Sequence, residues 1–502
     1  MYAHAYAQGL KLSSQGRHFE AISCFETALA AQPDDIAVLF ALGNTAQALG
    51  MAVPAAEFFR KVLAQEPGRI EALIHLANLL RAQGQFEAAR ALLEPALARH
   101  PESPELRLTL GSIWREAGDR EQAKHFYRAA LELRPEYDLA LSNLADLLAG
   151  DGDFEAARTL YDRALKAGNG HAQIRLNRAI LHFQMGNLAE GWRDYAARTE
   201  IPNKVPVTDL KLGEWRGTPL GRTRLLVRAE QGVGDQLMFM SLIPDLLARA
   251  GRGQVILECE QRLAPLAARS FPGALVRPHS LATVNGVIKA DYSWLKKDGG
   301  ANSVTLMGSL PRWLRKTLDA FPKENVFLKP EAEEKAGWKN IFTALGSSPL
   351  TGICWRSGKS GGHRSTQYAP LEIWGAFLRE LPGAIVSCQY DGTAEEIAAL
   401  ERASGRRIFV PPALDQKNDL DRTAAMLSAL DCVISAPTAV SWLAAGVGVR
   451  TIKLNYHVSW TAFGQSYEPF GPACITVGPK RPGDWHEAFA KVAALIARPG
   501  AA

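Results

Sequence analysis

Apolar side chains in the first part of the chain follow helical spacing, and the whole pattern repeats every 34 residues. A glycine, a small alanine and a proline keep fixed places in successive units. These positions are Gly16, Gly50, Gly84, Gly118 and Gly152, then Ala21, Ala55, Ala89, Ala123 and Ala157, then Pro33, Pro67, Pro101 and Pro135. Glycine permits a tight turn, alanine permits close helix packing, and proline ends a helix. The pattern therefore predicts a series of paired short helices.

This pattern resembles the tetratricopeptide repeat over five units, residues 2–171. A sixth, weaker unit follows in which Gly191 replaces the alanine and Asn169 replaces the proline before it. We expect the sixth unit to be adapted to the segment after it. The resemblance predicts an α-solenoid over residues 1–199. Such an array can be a self-stabilising solenoid without a ligand, or it can merely dimerise. Alternatively, its concave groove binds a segment of another protein, and we favour this last interpretation.

After the repeats the helical period is lost, and prolines and glycines mark a linker at residues 200–222. Short β-rich runs then alternate with helix-like runs, which predicts parallel strands with crossover helices. The predicted strands are RLLVRA, QVILECE, LTGICW, AIVSCQ, RIFV, DCVISA and VRTIKL. An interruption at residues 321–334 divides the region into two Rossmann-like halves, residues 223–325 and 326–502. Ligands of such sheets bind at the carboxyl ends of strands, so we expect a site in the cleft between the halves.

Composition and charge narrow the choice of partners. The formal net charge is +5 over 502 residues, without a dense Lys/Arg block, so nucleic acid is not an expected partner. Six widely spaced cysteines, mostly in apolar runs, are typical of reduced thiols in a cytosolic protein. Neither a leader nor an uninterrupted membrane-spanning run is recognisable. We therefore expect a cytoplasmic protein with no membrane association.

The stretch EQGVGDQLMF, Glu230 to Phe239, lies where a predicted strand gives way to a helix. A dinucleotide fingerprint is weakly supported, because Leu237 stands at its third glycine position. Alternatively, Asp235 caps the helix, or it is a general base beside glycines that leave room for a bulky substrate. Composition alone does not decide between these interpretations.

Two further stretches follow predicted strands. WRSGKSGGHRSTQY carries Arg356, Lys359, His363 and Arg364 among glycines, which suits a phosphate or a carboxylate; the alternative is a solvated basic loop. Its GKS triplet is not a phosphate-binding loop of the triphosphatase type, because the preceding glycine is one residue too far away. In ISAPTAVSWLAAG, Thr438 or Ser441 heads a helix whose N-terminus favours an anion, although a simple threonine cap explains Thr438 equally well.

Together these segments resemble a glycosyltransferase of the GT-B fold, close to the heptosyltransferase-like group. The resemblance covers the chain from about residue 175 to its end. Its marks are, in order, GNLAEGWRDYAAR, AEQGVGDQLMF, MGSLPRWL, WRSGK and LDCVISAPTAVSWLAAGVG. The resemblance implies an α/β GT-B fold of two Rossmann-like halves, the first on the acceptor side and the second on the nucleotide-sugar side. It also implies a reaction that needs neither a metal nor a cofactor.

The resemblance makes Asp235 the general base, within an active-site loop that includes Gln231, Gly232 and Gly234. The residues expected to bind the donor are Arg356, Lys359, His363, Arg364, Gln389, Tyr390, Thr438 and Ser441. Heptosyltransferases have an aspartate and a histidine in the turn where this chain has Pro437 and Trp442. An ADP-heptose donor is therefore not indicated.

The combination of repeats and transferase is also similar to O-linked N-acetylglucosamine transferases and, more closely, to soluble flagellin glycosyltransferases of alphaproteobacteria. The latter transfer a nonulosonic acid from a CMP donor. We therefore predict a protein glycosyltransferase that modifies Ser/Thr of an acceptor such as flagellin, which the repeats hold. The alternatives are a non-catalytic repeat scaffold with a degenerate GT-B domain, and a heptosyltransferase-like enzyme that uses an NDP-sugar.

Overall fold

The computed structural model describes residues 2–168, 170–284, 286–358, 367–479 and 483–497. The chain forms two compact units, Met1–Ile174 and Arg175–Ala502. The first unit is a helical repeat solenoid, and the second carries two parallel sheets. Among the helices of the described residues, none combines the length and the apolar character that crossing a membrane requires.

The first unit consists of paired helices at the positions that the 34-residue period predicts. They are α1 (Tyr2–Ser14), α2 (His18–Ala31), α3 (Ile36–Ala48), α4 (Ala52–Gln65), α5 (Ile70–Ala82), α6 (Phe86–Arg99), α7 (Pro104–Glu116), α8 (Arg120–Leu133), α9 (Asp138–Gly150) and α10 (Phe154–Ala167). The five turn glycines have φ between 74° and 94°, a left-handed conformation that favours glycine. The five repeated alanines are fully buried, and each repeated proline lies two residues beyond a helix end. The predicted repeat is confirmed.

Within a pair, a small residue of the first helix faces a large residue of the second. A Cβ atom added at Gly43 would come within 2.7 Å of the Phe59 ring, and one at Gly111 within 2.6 Å of the Tyr127 ring. The large residue recurs every 34 residues, and in the sixth unit this position is Tyr195. Glycine therefore lets the ring seat directly against the helix backbone.

The sixth pair consists of α11 (Ala172–Gln184) and α12 (Leu188–Tyr195), followed by a 3-10 turn at Ala196–Glu200. The boundary between the two compact units lies inside α11, so most of this pair belongs to the C-terminal unit. A Cβ atom at Gly191 would lie 2.4 Å from the Phe183 ring, which explains why alanine is absent there. The sixth pair is thus adapted to the C-terminal unit, as its altered sequence predicts.

The first half of the C-terminal unit contains a parallel sheet and a small hairpin. Its elements are β1 (Gly213–Glu214), β2 (Arg224–Arg228), α13 (Val233–Met240), α14 (Ile243–Ala248), β3 (Gln254–Cys259), α15 (Ala264–Ser270), β4 (Ala274–Pro278), β5 (Leu281–Val284), β6 (Val287–Ala290), β7 (Ser303–Leu306) and α16 (Pro311–Leu314). The five parallel strands are ordered β1-β7-β2-β3-β4, and β5 pairs with β6 in antiparallel fashion. β1 lies inside the predicted linker and pairs with β7, so part of that segment belongs to the sheet.

The second half contains a six-stranded parallel sheet. Its elements are α17 (Ala332–Thr343), β8 (Leu350–Cys354), α18 (Leu371–Arg379), β9 (Ala384–Ser387), α19 (Ala394–Ser404), β10 (Ile408–Phe409), α20 (Leu420–Leu427), β11 (Cys432–Ser435), α21 (Ala439–Gly446), β12 (Arg450–Leu454), β13 (Cys474–Val477) and α22 (Trp485–Ile496). The order β10-β9-β8-β11-β12-β13 is that of a doubly wound Rossmann sheet. Its strand order reverses between β8 and β11, where such sheets bind ligands.

Candidate functional site

A cavity of about 540 Å³ opens where β2, β8, β11 and β12 end, and residues of both halves line it. The lining residues are Gly232, Gly234, Asp235, Met238, Ser357, Gln367, Tyr368, Pro437, Thr438, Ala439, Trp442, Lys453, Asn455, Tyr456, His457, Val458, Ser459, Trp460 and Thr461. The cavity thus lies at the carboxyl ends of parallel strands, which is the usual location of ligand sites in doubly wound sheets.

Asp235 lies in the first turn of α13 and is partly exposed to the cavity. One carboxylate oxygen accepts a hydrogen bond from the Gly232 N–H at 3.3 Å. Burial raises the pKa of Asp235, and the nearby Glu230 carboxylate raises it further, although the Gly232 N–H opposes the shift. Asp235 therefore caps the helix and also presents a carboxyl group of raised pKa to the cavity, so capping does not exclude general-base chemistry.

The N-termini of α13 and α21 lie side by side at the cavity. A Cβ atom at Gly234 would lie 3.6 Å from Ala439 Cα and 3.7 Å from Trp442 Cδ1, which is ordinary van der Waals contact, so the first turns of the two helices are direct neighbours. Thr438 caps α21, and its Oγ1 accepts a hydrogen bond from the Val440 N–H at 3.3 Å. Two converging helix N-termini favour a bound anion through their free N–H groups and their dipoles.

Lys453 brings a buried cation to the same wall. Its side chain is only 4% exposed, and Nζ forms an ion pair with the buried carboxylate of Glu468. The ammonium group also lies 4.8 Å from the centre of the Trp442 ring and 3.4 Å from Thr461 Oγ1. These contacts fix the ammonium group, whose charge the Glu468 carboxylate balances, beside the first turn of α21.

A buried ion pair supports the turn that carries Asp235. Arg198 donates to both carboxylate oxygens of Glu230 at 2.8 and 2.7 Å, and the two side chains are 3% and 0% exposed. Glu230 also accepts the Gly308 N–H at 2.8 Å, and Arg198 donates to Ser309 Oγ at 2.9 Å. Three of the sequence segments that carry the glycosyltransferase resemblance therefore meet at this pair, directly before the turn.

Arg356 occupies a supporting position rather than the cavity wall. All three of its guanidinium nitrogens are bonded, chiefly to Asp391 at 3.1 Å and to Glu396 at 2.6 Å. The hydrogen bonds to Glu396, followed by those to Asp391, raise the pKa of Arg356. The sequence analysis predicted that Arg356 binds the donor. In the structure, Arg356 is instead bonded to the carboxylates of Asp391 and Glu396, and these bonds hold the start of the loop after β8.

Gln389 also holds the start of this loop, because both the oxygen and the nitrogen of its side-chain amide form hydrogen bonds with the loop backbone. Its oxygen accepts the N–H groups of Trp355 and Arg356 at 2.9 and 3.1 Å, and its nitrogen donates to the Arg356 carbonyl at 2.9 Å. Tyr390 Oη accepts the Gly358 N–H. Both side chains therefore act on the loop backbone and do not line the cavity.

The remaining predicted donor residues have different positions. Ser441 is fully buried in α21, where its hydroxyl donates to the Thr438 carbonyl at 2.8 Å. Lys359, His363 and Arg364 lie outside the described residues. Of the predicted site residues, Gly232, Gly234, Asp235 and Thr438 line the cavity, and the exposed Gln231 lies beside it.

Sequence reasoning missed the end of β12 and the segment that follows it. Lys453, Tyr456, His457 and Trp460 contribute much of the cavity wall. A lysine inside the apolar run VRTIKL and the aromatic residues just after it were the available signal. In the described part of the chain, no three His, Cys, Asp or Glu side chains are grouped so that they could hold a metal ion. The expected metal independence stays a prediction.

Comparison with known proteins identifies the first unit. Family models described as tetratricopeptide repeat match residues 46–113 and residues 6–70, 115–172 and 142–203. The chain therefore contains tetratricopeptide repeats. It is also similar to Protein FlbA of Caulobacter vibrioides, with 32% identity over 328 residues.

That match covers 65% of this chain and 55% of the length of the relative. The similarity to Protein FlbA extends over 328 residues, which is more than the repeat models cover and more than the first unit contains. It therefore includes part of the C-terminal unit. Solved structures similar to the chain include a thermophilic TPR protein from Thermus thermophilus, with 26% identity and a TM-score of 0.33 over 36% of this chain and 98% of that one. Another is Pseudomonas aeruginosa pilF, with 22% identity and a TM-score of 0.32 over 40% and 89%.

Proposed function

We propose that the protein is a cytoplasmic glycosyltransferase of the GT-B fold that transfers a sugar from a nucleotide-activated donor to a Ser/Thr hydroxyl of a protein acceptor. One observation carries this proposal: Asp235, with its raised pKa, shares a cavity with two helix N-termini and the cation of Lys453. A base for the acceptor and an environment for a departing anion are the two requirements of glycosyl transfer. Tetratricopeptide repeats typically bind proteins, which supports a protein acceptor.

In this proposal, Asp235 accepts the proton of the acceptor hydroxyl while the hydroxyl oxygen attacks the anomeric carbon. The bond between that carbon and the phosphate oxygen breaks, and the leaving nucleotide gains negative charge. The N–H groups at the start of α21 and the ammonium group of Lys453 stabilise this charge in a partly enclosed site. Arg356 and Gln389 contribute indirectly, because they hold the backbone directly before Ser357, which lines the cavity.

For the donor we propose a CMP-activated nonulosonic acid, and for the acceptor a flagellin-like protein held by the repeats. Such a donor has one phosphate and one sugar carboxylate. The cavity wall offers two kinds of anion-binding group, which are helix N-termini and a lysine. The similarity of the sequence to soluble flagellin glycosyltransferases supports both choices.

Calorimetric titration of the full chain with CMP, UDP, ADP and GDP tests the function. We expect CMP to bind most tightly, whereas a non-catalytic scaffold should bind none of the four. Binding of UDP, ADP or GDP in preference to CMP would replace the proposed donor with an NDP-sugar. Absence of binding by every nucleotide would contradict the glycosyltransferase proposal.

A paired substitution tests whether Lys453 holds the nucleotide. Lys453→Met combined with Glu468→Gln removes both charges of the buried pair, so no unpaired charge remains. We expect the dissociation constant for CMP to rise by at least about tenfold, because a charged hydrogen bond to phosphate is lost. Lys491→Met is the matched control, since this lysine lies on the exposed side of α22. Equal affinities of the paired variant and the control would remove Lys453 from the site.

The raised pKa of Asp235 predicts the acid limb of the pH–rate profile. The base must be ionised, and burial favours its protonated form, so activity should already fall as the pH drops through the raised pKa. We expect the midpoint of this limb in kcat/KM to lie above the ordinary aspartate value of about 3.9. A limb at or below that value would show that the free enzyme uses a different base.

A further inference from the structure

The large residue that recurs in each repeat has a different hydrogen-bond partner in the sixth unit. Tyr127 Oη lies 3.2 Å from Ser112 Oγ, and Tyr161 Oη donates to Asp146, so in both cases the partner is 15 residues earlier. The corresponding residue for Tyr195 is Ile180, which has no polar side chain. Instead, Gln231 Nε2 donates to Tyr195 Oη at 2.7 Å. The hydroxyl of the sixth unit is therefore directed to the turn that carries Asp235.

Gln231 has a backbone conformation that needs external support. Its φ is 62°, in the left-handed region that residues other than glycine rarely adopt. It follows Glu230, which the ion pair with Arg198 fixes, and it precedes Gly232, whose N–H bonds to Asp235. The chain direction at Gln231 therefore determines where the Asp235 carboxylate lies.

Tyr195 is itself held firmly. It is only 4% exposed, and its ring lies 4.5 Å from the Arg198 guanidinium carbon and 5.8 Å from the ring of Trp460. Trp460 lines the same cavity from the other half of the C-terminal unit. The end of α12 thus contacts residues of both halves that border the cavity.

We infer that Tyr195 is a positioning residue: its hydroxyl holds Gln231 in the left-handed conformation and thereby directs Asp235 into the cavity. The kinetic consequence rests on the proposed function, because it requires Asp235 to act as the base. The structural consequence, a turn held by α12, does not depend on any activity. The two consequences can therefore fail separately.

Hydrogen–deuterium exchange of the full chain tests the structural consequence. In Tyr195→Phe, which loses only the hydroxyl, we expect amides of residues 230–236 to exchange about fivefold faster, as loss of one hydrogen bond predicts. Tyr127→Phe is the matched control, because it removes a buried hydroxyl from the equivalent position of another repeat. Exchange at 230–236 that is equal in the two variants would overturn the inference, whatever the activity.

Kinetics with the donor identified by titration test the remaining consequence. In Tyr195→Phe we expect kcat to fall by about ten- to a hundredfold with little change in KM, because the base is misplaced while the substrate sites remain. Gln231→Ala, which removes the hydrogen bond to Tyr195 but keeps the penalty of a non-glycine residue at positive φ, should lose a similar factor. The double variant should lose no more than either single one. Independent, multiplying losses would show that the two residues do not act as a pair. If the wild-type protein transfers no sugar, the exchange measurements still decide the structural inference.

Discussion

Asp235→Asn should lower the rate of sugar transfer by at least about a hundredfold, the usual contribution of a general base. The amide has nearly the same shape as the carboxyl group, and its oxygen can still accept the Gly232 N–H. It cannot accept the proton of an acceptor hydroxyl. We therefore expect kcat to fall. The thermal unfolding temperature should change little, because the substitution keeps the hydrogen bond from Gly232 and removes a partly buried charge.

The matched control for this variant is Asp319→Asn, which changes an exposed aspartate of the same half outside the cavity lining. It should leave transfer and stability unchanged. Nucleotide affinity, measured by titration, should be similar in the Asp235→Asn variant and the wild type, because the donor's phosphate is assigned to the start of α21 and to Lys453 rather than to the Asp235 side chain. Transfer at the wild-type rate would reduce Asp235 to a helix cap.

The repeat architecture could be predicted because its determinants are local. A turn glycine, a buried alanine and a terminal proline each act within a few residues, and the 34-residue period multiplies the signal. The seven predicted strands also exist, since buried parallel strands appear as continuous apolar runs. β1 was among the strands missed, because a two-residue strand is defined only by its pairing with β7.

The sequence predicts only those site residues whose positions are determined by the residues directly after a strand. The turn around Asp235 and the cap at Thr438 have such local determinants, and both line the cavity. Arg356 does not, because its carboxylate partners Asp391 and Glu396 lie 35 and 40 residues further along the chain. The ion-pair partners of such a cation cannot be identified from the sequence, because the fold brings them together from distant positions in the chain.

Support of the turn around Asp235 was equally hidden, since Arg198 and Glu230 are 32 residues apart and nothing in the sequence indicates that they pair. Their pairing brings the end of the repeats and the start of the α/β region into one buried network. The α12 end is thus a structural part of the C-terminal unit, although its sequence period assigns it to the solenoid. For this reason the sequence period places the end of the repeats at residue 199, whereas compact packing divides the two units after Ile174.

Arg198→Ala should lower the free energy of unfolding of the C-terminal unit by about 3–5 kcal/mol, because it leaves the Glu230 carboxylate buried without its cation. Chemical denaturation measures this loss, with Arg193→Ala as the control on the exposed face of the preceding helix, α12. Arg198→Met with Glu230→Gln should recover much of the stability, since neither remaining side chain is charged. Equal stability of the Arg198 and Arg193 variants would contradict a supporting role for the buried pair, and the Asp235 turn would then need another source of its rigidity.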